Sequence, residues 1–321
     1  MKGHLFFLVL ISLALINCNK EYEGISITEI TEGSLVGELL SNESNQASPI
    51  ILFVPGSGSP MIHHKHLHGL VHEGYDVVSI AYHGKKGLPK RIAEVPIEYI
   101  HEWVQWIKST FRDRKVIIIS ISKGAELSLV YASRYDEIDG LICYAPSAFV
   151  LPDHVKPESD ENLVSSWSYR DEGVTFADIQ PFSHPAGKVV YKEYIDPLLI
   201  DSSRSIKGRI PVEQISCPIL LLSGEDDLVW PSSKMSDLIV AGVKSQPNYP
   251  FVKSISFENA GHQILYFGEG VPVRAPSVQS INLTGIKKHK FVFGGTEEGT
   301  IQAMIDSRDE VFRFTKRFHT P

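Results

Sequence analysis

Only three cysteines, Cys18, Cys143 and Cys217, occur in 321 residues, so a disulfide framework is excluded by count. Cys143 and Cys217 lie in or beside apolar runs, where a free cysteine behaves as a small buried hydrophobe, and both are expected in the core. Positive charge is not in excess either. Against 38 Asp and Glu stand 31 Lys and Arg, a formal net charge of -7, and no dense basic stripe interleaved with aromatics occurs. A nucleic-acid partner is therefore not expected. Beyond the first twenty residues no run is long and apolar enough to span a bilayer. What is present is ordinary globular material, 43% hydrophobic and 21% charged, which suffices for a large core. The length would allow two domains, but an open α/β sheet often runs past about 250 residues as one unit, and one is expected here.

The N-terminus has a targeting pattern. Met1, Lys2 and His4 form a weakly positive start, and Leu5 to Ile16 is apolar but too short for a mature membrane span. This reads as a signal peptide over residues 1–18. Its end, Leu15-Ile16-Asn17-Cys18, resembles the lipobox of bacterial lipoproteins, in which the cysteine becomes the lipidated first residue; Asn17 departs from the small residue usual there. The expectation is export, with the mature protein held at a membrane through a lipid on Cys18 or released as a periplasmic or secreted form.

Residues 19–47 form a linker and two leading strands, since Ile25-Ser26-Ile27-Thr28 and Leu35-Val36-Gly37-Glu38-Leu39 alternate apolar and polar. From residue 48 the rhythm changes. Short β-branched runs at Ile50 to Val54, Val77 to Ala81, Val116 to Ile121, Leu141 to Ala145 and Ile219 to Leu222 read as strands buried on both faces. Helical segments separate most of them; the clearest places Ile97, Ile100, Trp103, Val104 and Ile107 on one stripe. Strand alternating with helix predicts an α/β fold over residues 48–321, with a mostly parallel sheet and helices on both faces. Between Phe149 and Arg209 the period fails over a stretch too long for a simple connection, which predicts a cap insertion at about 149–210. The rhythm resumes with a helix through Met235 and Val240, a strand at Val252 to Phe257 and a helix from Thr300 to Phe318.

The chemistry-bearing signal is Ser120-Ile121-Ser122-Lys123-Gly124 at the junction of a buried strand and a helix. A serine on such a turn is the nucleophile elbow of α/β hydrolases, where small flanking residues are needed because the turn is tight; Ser120 stands where glycine is usual. A serine hydroxyl needs a base to take its proton and a carboxylate to orient that base. Leu220 to Asp227 ends a late strand in three carboxylates, of which Asp227 is chosen and Asp226 is the substitute. His262 follows the last strand, so the order Ser, Asp, His is the one this fold requires. The oxyanion donors nominated are the amides of Lys123 and of Ser57, the latter in the glycine-rich turn Pro55-Gly56-Ser57-Gly58-Ser59. No Gly-Lys-Ser/Thr follows that turn, which removes a phosphate-cradling reading.

His64, His68 and His72 share one helical spacing that could bind a metal, but no carboxylate or cysteine stands in register with them, so a solvated face is expected and no metal or cofactor is required. The run Lys85, Lys86, Lys90 and Arg91 reads as a solvated loop rather than an anion site. Trp167, Tyr169 and Phe176 in the cap either set acyl-chain preference or form cap core.

Taken together, Ile119 to Leu127, Ile210-Pro211-Val212-Glu213, Gly224 to Asp227, Gly261-His262 and Phe293-Gly294-Gly295-Thr296 resemble the C-terminal catalytic domain shared by acyl-CoA thioesterases and bile acid-CoA:amino acid N-acyltransferases, over roughly residues 48–318. The resemblance implies triad roles for Ser122, Asp227 and His262 and a small-molecule acyl thioester or ester as substrate. It also favours water as acceptor, since the conjugating member of the family carries cysteine at the nucleophile. Two readings stand beside it, a serine peptidase or amidase on the same fold and a non-catalytic surface lipoprotein.

Overall fold

Strand residues that alternate between two apolar environments predict a sheet buried on both sides, and that is how the core divides. A computed structural model describes residues 20–22, 24–42, 48–153, 163–179, 187–281 and 289–319. The expected signal peptide and Cys18 lie outside the described residues. The main sheet contains β1 (Lys20–Tyr22), β2 (Ile25–Glu32), β3 (Leu35–Ser41), β4 (Ile50–Val54), β5 (Asp76–Ile80), β6 (Val116–Ile121), β7 (Gly140–Tyr144), β8 (Ile219–Gly224) and β9 (Val252–Phe257), in the order 1-2-3-5-4-6-7-8-9. Strands β1, β2, β3 and β5 pair antiparallel in succession, and β5, β4, β6, β7, β8 and β9 are parallel. The leading strands thus extend the same sheet rather than forming a separate unit.

Even-numbered residues of β4 (Ile50, Leu52, Val54) join Val78, Ile118, Leu141 and Leu221 in one apolar cluster, while Ile51 and Phe53 join Val77, Ile119, Ile142 and Leu222 in the other. The first cluster is covered by α2 (Glu98–Thr110), through Ile100, Trp103, Val104 and Ile107, by α3 (Lys123–Ala132) and by α5 (Ser232–Val243). The second is covered by the short α1 (His68–His72) and by α6 (Glu297–Thr315). Helix α6 starts one turn earlier than the apolar pattern predicts. Thr296 caps it by accepting from the Gly299 amide at 3.0 Å, and Glu297 and Glu298 complement the helix dipole in its first turn. Cys143 and Cys217 are free and buried, and burial pushes both thiols up to about 12.

The excursion from Phe149 is closed at its base by an antiparallel bridge between Phe149 and Arg209. It carries the hairpin Trp167–Tyr169 with Glu172–Gly173, which joins Val95–Pro96 in a small sheet, and α4 (Lys192–Ile200). A further small sheet of Lys188–Val189, Val278–Ile281 and His289–Val292 has no counterpart in the sequence pattern; its strands are only two to four residues long. Among the described residues no helix is long and apolar enough to cross a membrane.

Candidate active site

The parallel strands end on one edge of the sheet, and the loops that leave that edge carry the nominated residues. Ser122 sits between β6 and α3 with φ 57° and ψ -124°, a strained conformation that places its side chain clear of both elements. Its side chain makes no helix-capping hydrogen bond, which removes the plain cap role. Glycine is required at position 124, because a Cβ there would lie 2.2 Å from the Pro55 carbonyl oxygen. Ser120 is tolerated in place of glycine since its hydroxyl is absorbed by the Ile142 carbonyl at 3.2 Å.

His262 Nε2 lies 2.9 Å from Ser122 Oγ, and His262 Nδ1 lies 2.8 Å from Asp227 Oδ2. Asp227 is buried, and every other contact of its carboxylate is a donor: the amides of Val229 at 2.8 Å and Trp230 at 3.2 Å on Oδ1, and the Ser232 hydroxyl at 2.7 Å on Oδ2. These contacts orient the carboxylate against the imidazole. Asp226 and Glu225 are exposed, so of the three carboxylates Asp227 is the one that meets His262. The His262 ring is held between Trp230 at 5.4 Å and Phe293 at 5.6 Å, and its amide donates to the Phe293 carbonyl at 2.8 Å. The sequence reading passed over Trp230, Ser232 and Phe293; the one available sign was the motif that holds Phe293.

The Pro55–Ser59 turn passes directly over Ser122, since a Cβ on Gly56 would come within 3.2 Å of Ser122 Cβ. Ser57 lines a cavity of about 160 Å³ together with Ser122 and His262. Lys123 follows Ser122, and its side chain turns into the interior. Nζ donates to both oxygens of Glu126 at 2.9 Å and to the Leu151 carbonyl at 3.2 Å. Glu126 Oε1 also accepts from the Leu151 amide at 3.0 Å and from Trp167 Nε1 at 2.7 Å. Burial pushes the Glu126 carboxyl up and the Lys123 ammonium down, and each charge opposes the other's shift. Helix α3 is thereby tied to the base of the excursion, and Trp167 is a buried core residue. A larger cavity of about 400 Å³, between α4 and α5 along Leu198, Val212, Leu238 and Ile239, contains none of the nominated residues.

The histidine run is the expected solvated face only in part, since His63, His66 and His72 are exposed. His68 is buried, and Glu269, far along the chain, brings Oε1 to 3.2 Å from His68 Nδ1 and 3.4 Å from His72 Nε2. Spatial packing supplied the carboxylate that the local spacing lacked. Among the described residues no group of three His, Cys, Asp or Glu side chains has the arrangement of a metal site. In the basic run, Arg91 pairs with Asp153 at 2.9 Å, while Lys85, Lys86 and Lys90 are exposed.

A mostly parallel sheet flanked by helices, with a strained serine at a strand-to-helix turn, defines an α/β hydrolase. Two solved structures share this fold: an esterase of Pyrococcus furiosus (TM-score 0.50, 13% identity, 92% of this chain and 91% of that one) and an acylaminoacyl peptidase of Pyrococcus horikoshii (TM-score 0.52, 13% identity, 91% and 41%). The family described as BAAT / Acyl-CoA thioester hydrolase C terminal matches residues 95–319, and the chain belongs to that family. Mouse peroxisomal succinyl-coenzyme A thioesterase is 22% identical over 91% of this chain and 65% of its own length. Mouse acyl-coenzyme A thioesterase 1 is 26% identical over 75% and 54%. Rat acyl-coenzyme A amino acid N-acyltransferase 2 is 25% identical over 75% and 55%. The chain thus spans between about half and two-thirds of the length of these relatives.

Proposed function

We propose that the protein is a serine hydrolase that cleaves a small-molecule acyl thioester or ester through Ser122, His262 and Asp227. The observation that carries this reading is the unbroken hydrogen-bond chain from the Ser122 hydroxyl through both nitrogens of His262 to a buried, saturated Asp227 carboxylate. His262 Nε2 takes the Ser122 proton as Oγ adds to the acyl carbon. The amides of Lys123 and Ser57 hold the oxyanion, and His262 returns the proton to the departing sulfur or oxygen. Water, activated by the same imidazole, then releases the acid and restores Ser122. Family membership and the thioesterase relatives favour a thioester over a peptide.

The test is labelling by a fluorophosphonate, which reacts with an activated serine. Wild type should label, and Ser122→Ala and His262→Ala should not; a folded wild type that stays unlabelled refutes the assignment. For location, the apolar run Leu5 to Ile16 ending at Cys18 supports export with a lipid on Cys18. Mass analysis of the mature N-terminus tests this, and an unmodified or retained leader refutes it.

A further inference from the structure

The cavity of about 400 Å³ between α4 and α5 serves no step of the reaction above, since neither Ser122 nor His262 lines it. Its origin is in the chain path. Helix α4 ends at Ile200, and the chain returns through the single turn Ser202–Ser205 to Arg209, which bridges Phe149 at the base of the excursion. That arch stands off α5, with Leu198 and Leu199 on one wall, Leu238 and Ile239 on the other, and Phe149 and Ile210 between them in the lining. The opening is apolar as well, because Ile200 is 87% exposed and Leu238 44% exposed. Aliphatic surface left in water at the rim of an aliphatic cavity is stabilised by a bound chain that covers both.

One charged side chain lines this cavity, and it is a cation. Arg209 is half-exposed, and its ion-pair partner Glu213 lies at 3.7 Å, beyond hydrogen-bond distance, so the guanidinium keeps donors for a ligand. The other polar side chains of the lining, Ser202 and Ser205, carry hydroxyls. We infer that the cavity is a second, non-catalytic binding site for a free single-chain carboxylate, with its aliphatic chain between α4 and α5 and its head on Arg209. In a chain of net charge -7, that local guanidinium is what favours an anionic head over a neutral one. The volume holds about thirteen non-hydrogen atoms at the roughly 30 Å³ a water occupies in the liquid, which suits a carboxylate of about ten carbons. The seat is shaped before binding. A Cβ at Gly242 would lie 2.6 Å from Val212 Cγ2 and 3.2 Å from an Arg209 guanidinium nitrogen, so the glycine lets the returning segment close on α5 and lays the guanidinium against that wall. This site stands apart from the hydrolase reading, because no residue of the proposed triad takes part in it.

Isothermal titration calorimetry with decanoate, hexanoate and 1-decanol tests the assignment. Decanoate should bind at least about fiftyfold more tightly than hexanoate, since each buried methylene is worth roughly fourfold. Ala241→Trp, on the exposed side of α5 at the cavity wall, should weaken decanoate at least about tenfold by filling the opening. Arg209→Gln should weaken decanoate about tenfold or more, as expected for losing hydrogen bonds to a charged head, and leave 1-decanol within about twofold. Circular dichroism certifies both variants as folded. Wild type whose Ser122 has been blocked by a fluorophosphonate should bind decanoate as the free protein does. Binding that persists unchanged in folded Ala241→Trp, that loses both ligands equally in Arg209→Gln, or that disappears when Ser122 is blocked overturns the assignment. So does a protein that ignores decanoate but floats with phosphatidylcholine and phosphatidylglycerol vesicles, which would make the apolar rim a membrane face. A folded wild type that does not label with the fluorophosphonate refutes the hydrolase reading alone, and the Ala241→Trp and Arg209→Gln titrations still decide this one.

Discussion

Replacing Lys123 by Met removes the cation that compensates Glu126. Both side chains are at most 1% exposed, and among the described residues the carboxylate is left in an apolar interior with the Leu151 amide and Trp167 Nε1 as its donors. Removing one partner of a buried, hydrogen-bonded pair costs about 3–5 kcal/mol, because the remaining charge must stay uncompensated or take up a proton. At about 2 °C per kcal/mol for a large domain, the melting temperature should fall by about 6–10 °C. In Lys123→Met/Glu126→Gln the charge is gone, the amide oxygen still accepts from Leu151 and Trp167, and the Leu151 carbonyl keeps the Ser166 hydroxyl at 2.8 Å. That double variant should recover at least half of the loss. Differential scanning fluorimetry of wild type, single and double variants reads this directly. A single variant within about 1 °C of wild type, or a double variant no more stable than the single, would refute the argument that the uncompensated charge sets the cost.

Asp227→Asn should lower kcat by about four orders of magnitude by stabilising the wrong imidazole tautomer, whereas exposed Asp226→Asn should stay within about twofold; steady-state kinetics on a thioester separates them. Gly294→Ala should yield little folded protein, since Gly294 has φ 77° and a Cβ there would overlap the Asp226 carbonyl oxygen at 1.9 Å; soluble expression and circular dichroism check it. Burial holds His83 below its ordinary value of 6.5, and its Nε2 has no hydrogen-bond partner among the described residues. The unfolded chain therefore binds more protons below about 6.5, so this contribution to stability is complete above that pH and is lost as pH falls toward the lowered folded value. Melting temperatures between about pH 7.5 and 5 should drop more steeply for wild type than for His83→Gln, and parallel curves would rule this out.

Much of the parallel core was legible because the information is local. The continuous apolar, β-branched runs of β4 and β6 and the helical stripe Ile100, Trp103, Val104, Ile107 are properties of consecutive residues, and so is a serine between a buried strand and a helix. From these the strand-to-helix rhythm, the elbow and the chain order of Ser122, Asp227 and His262 follow without any knowledge of contacts. The short strands Lys188–Val189 and Val278–Ile281 were not legible, because two to four residues contain no period and owe their conformation to pairing partners distant in the chain.

Only the tertiary structure decided the rest, and for one physical reason: electrostatic and hydrogen-bond partners are chosen by proximity in space. Of three consecutive acidic residues, the β8 loop buries Asp227 against His262 and leaves Glu225 and Asp226 in solvent. A sequence of histidines without a carboxylate became a packed cluster once folding brought Glu269 to His68 and His72. Lys123, named for its backbone amide, carries a second role through its side chain: helix spacing allows its i,i+3 pair with Glu126, but only folding buries that pair and brings Leu151 and Trp167 to it. The amino-acid order determined which elements form and where a nucleophile can stand; folding alone determined which charges are paired, which are buried and which groups line the path to it.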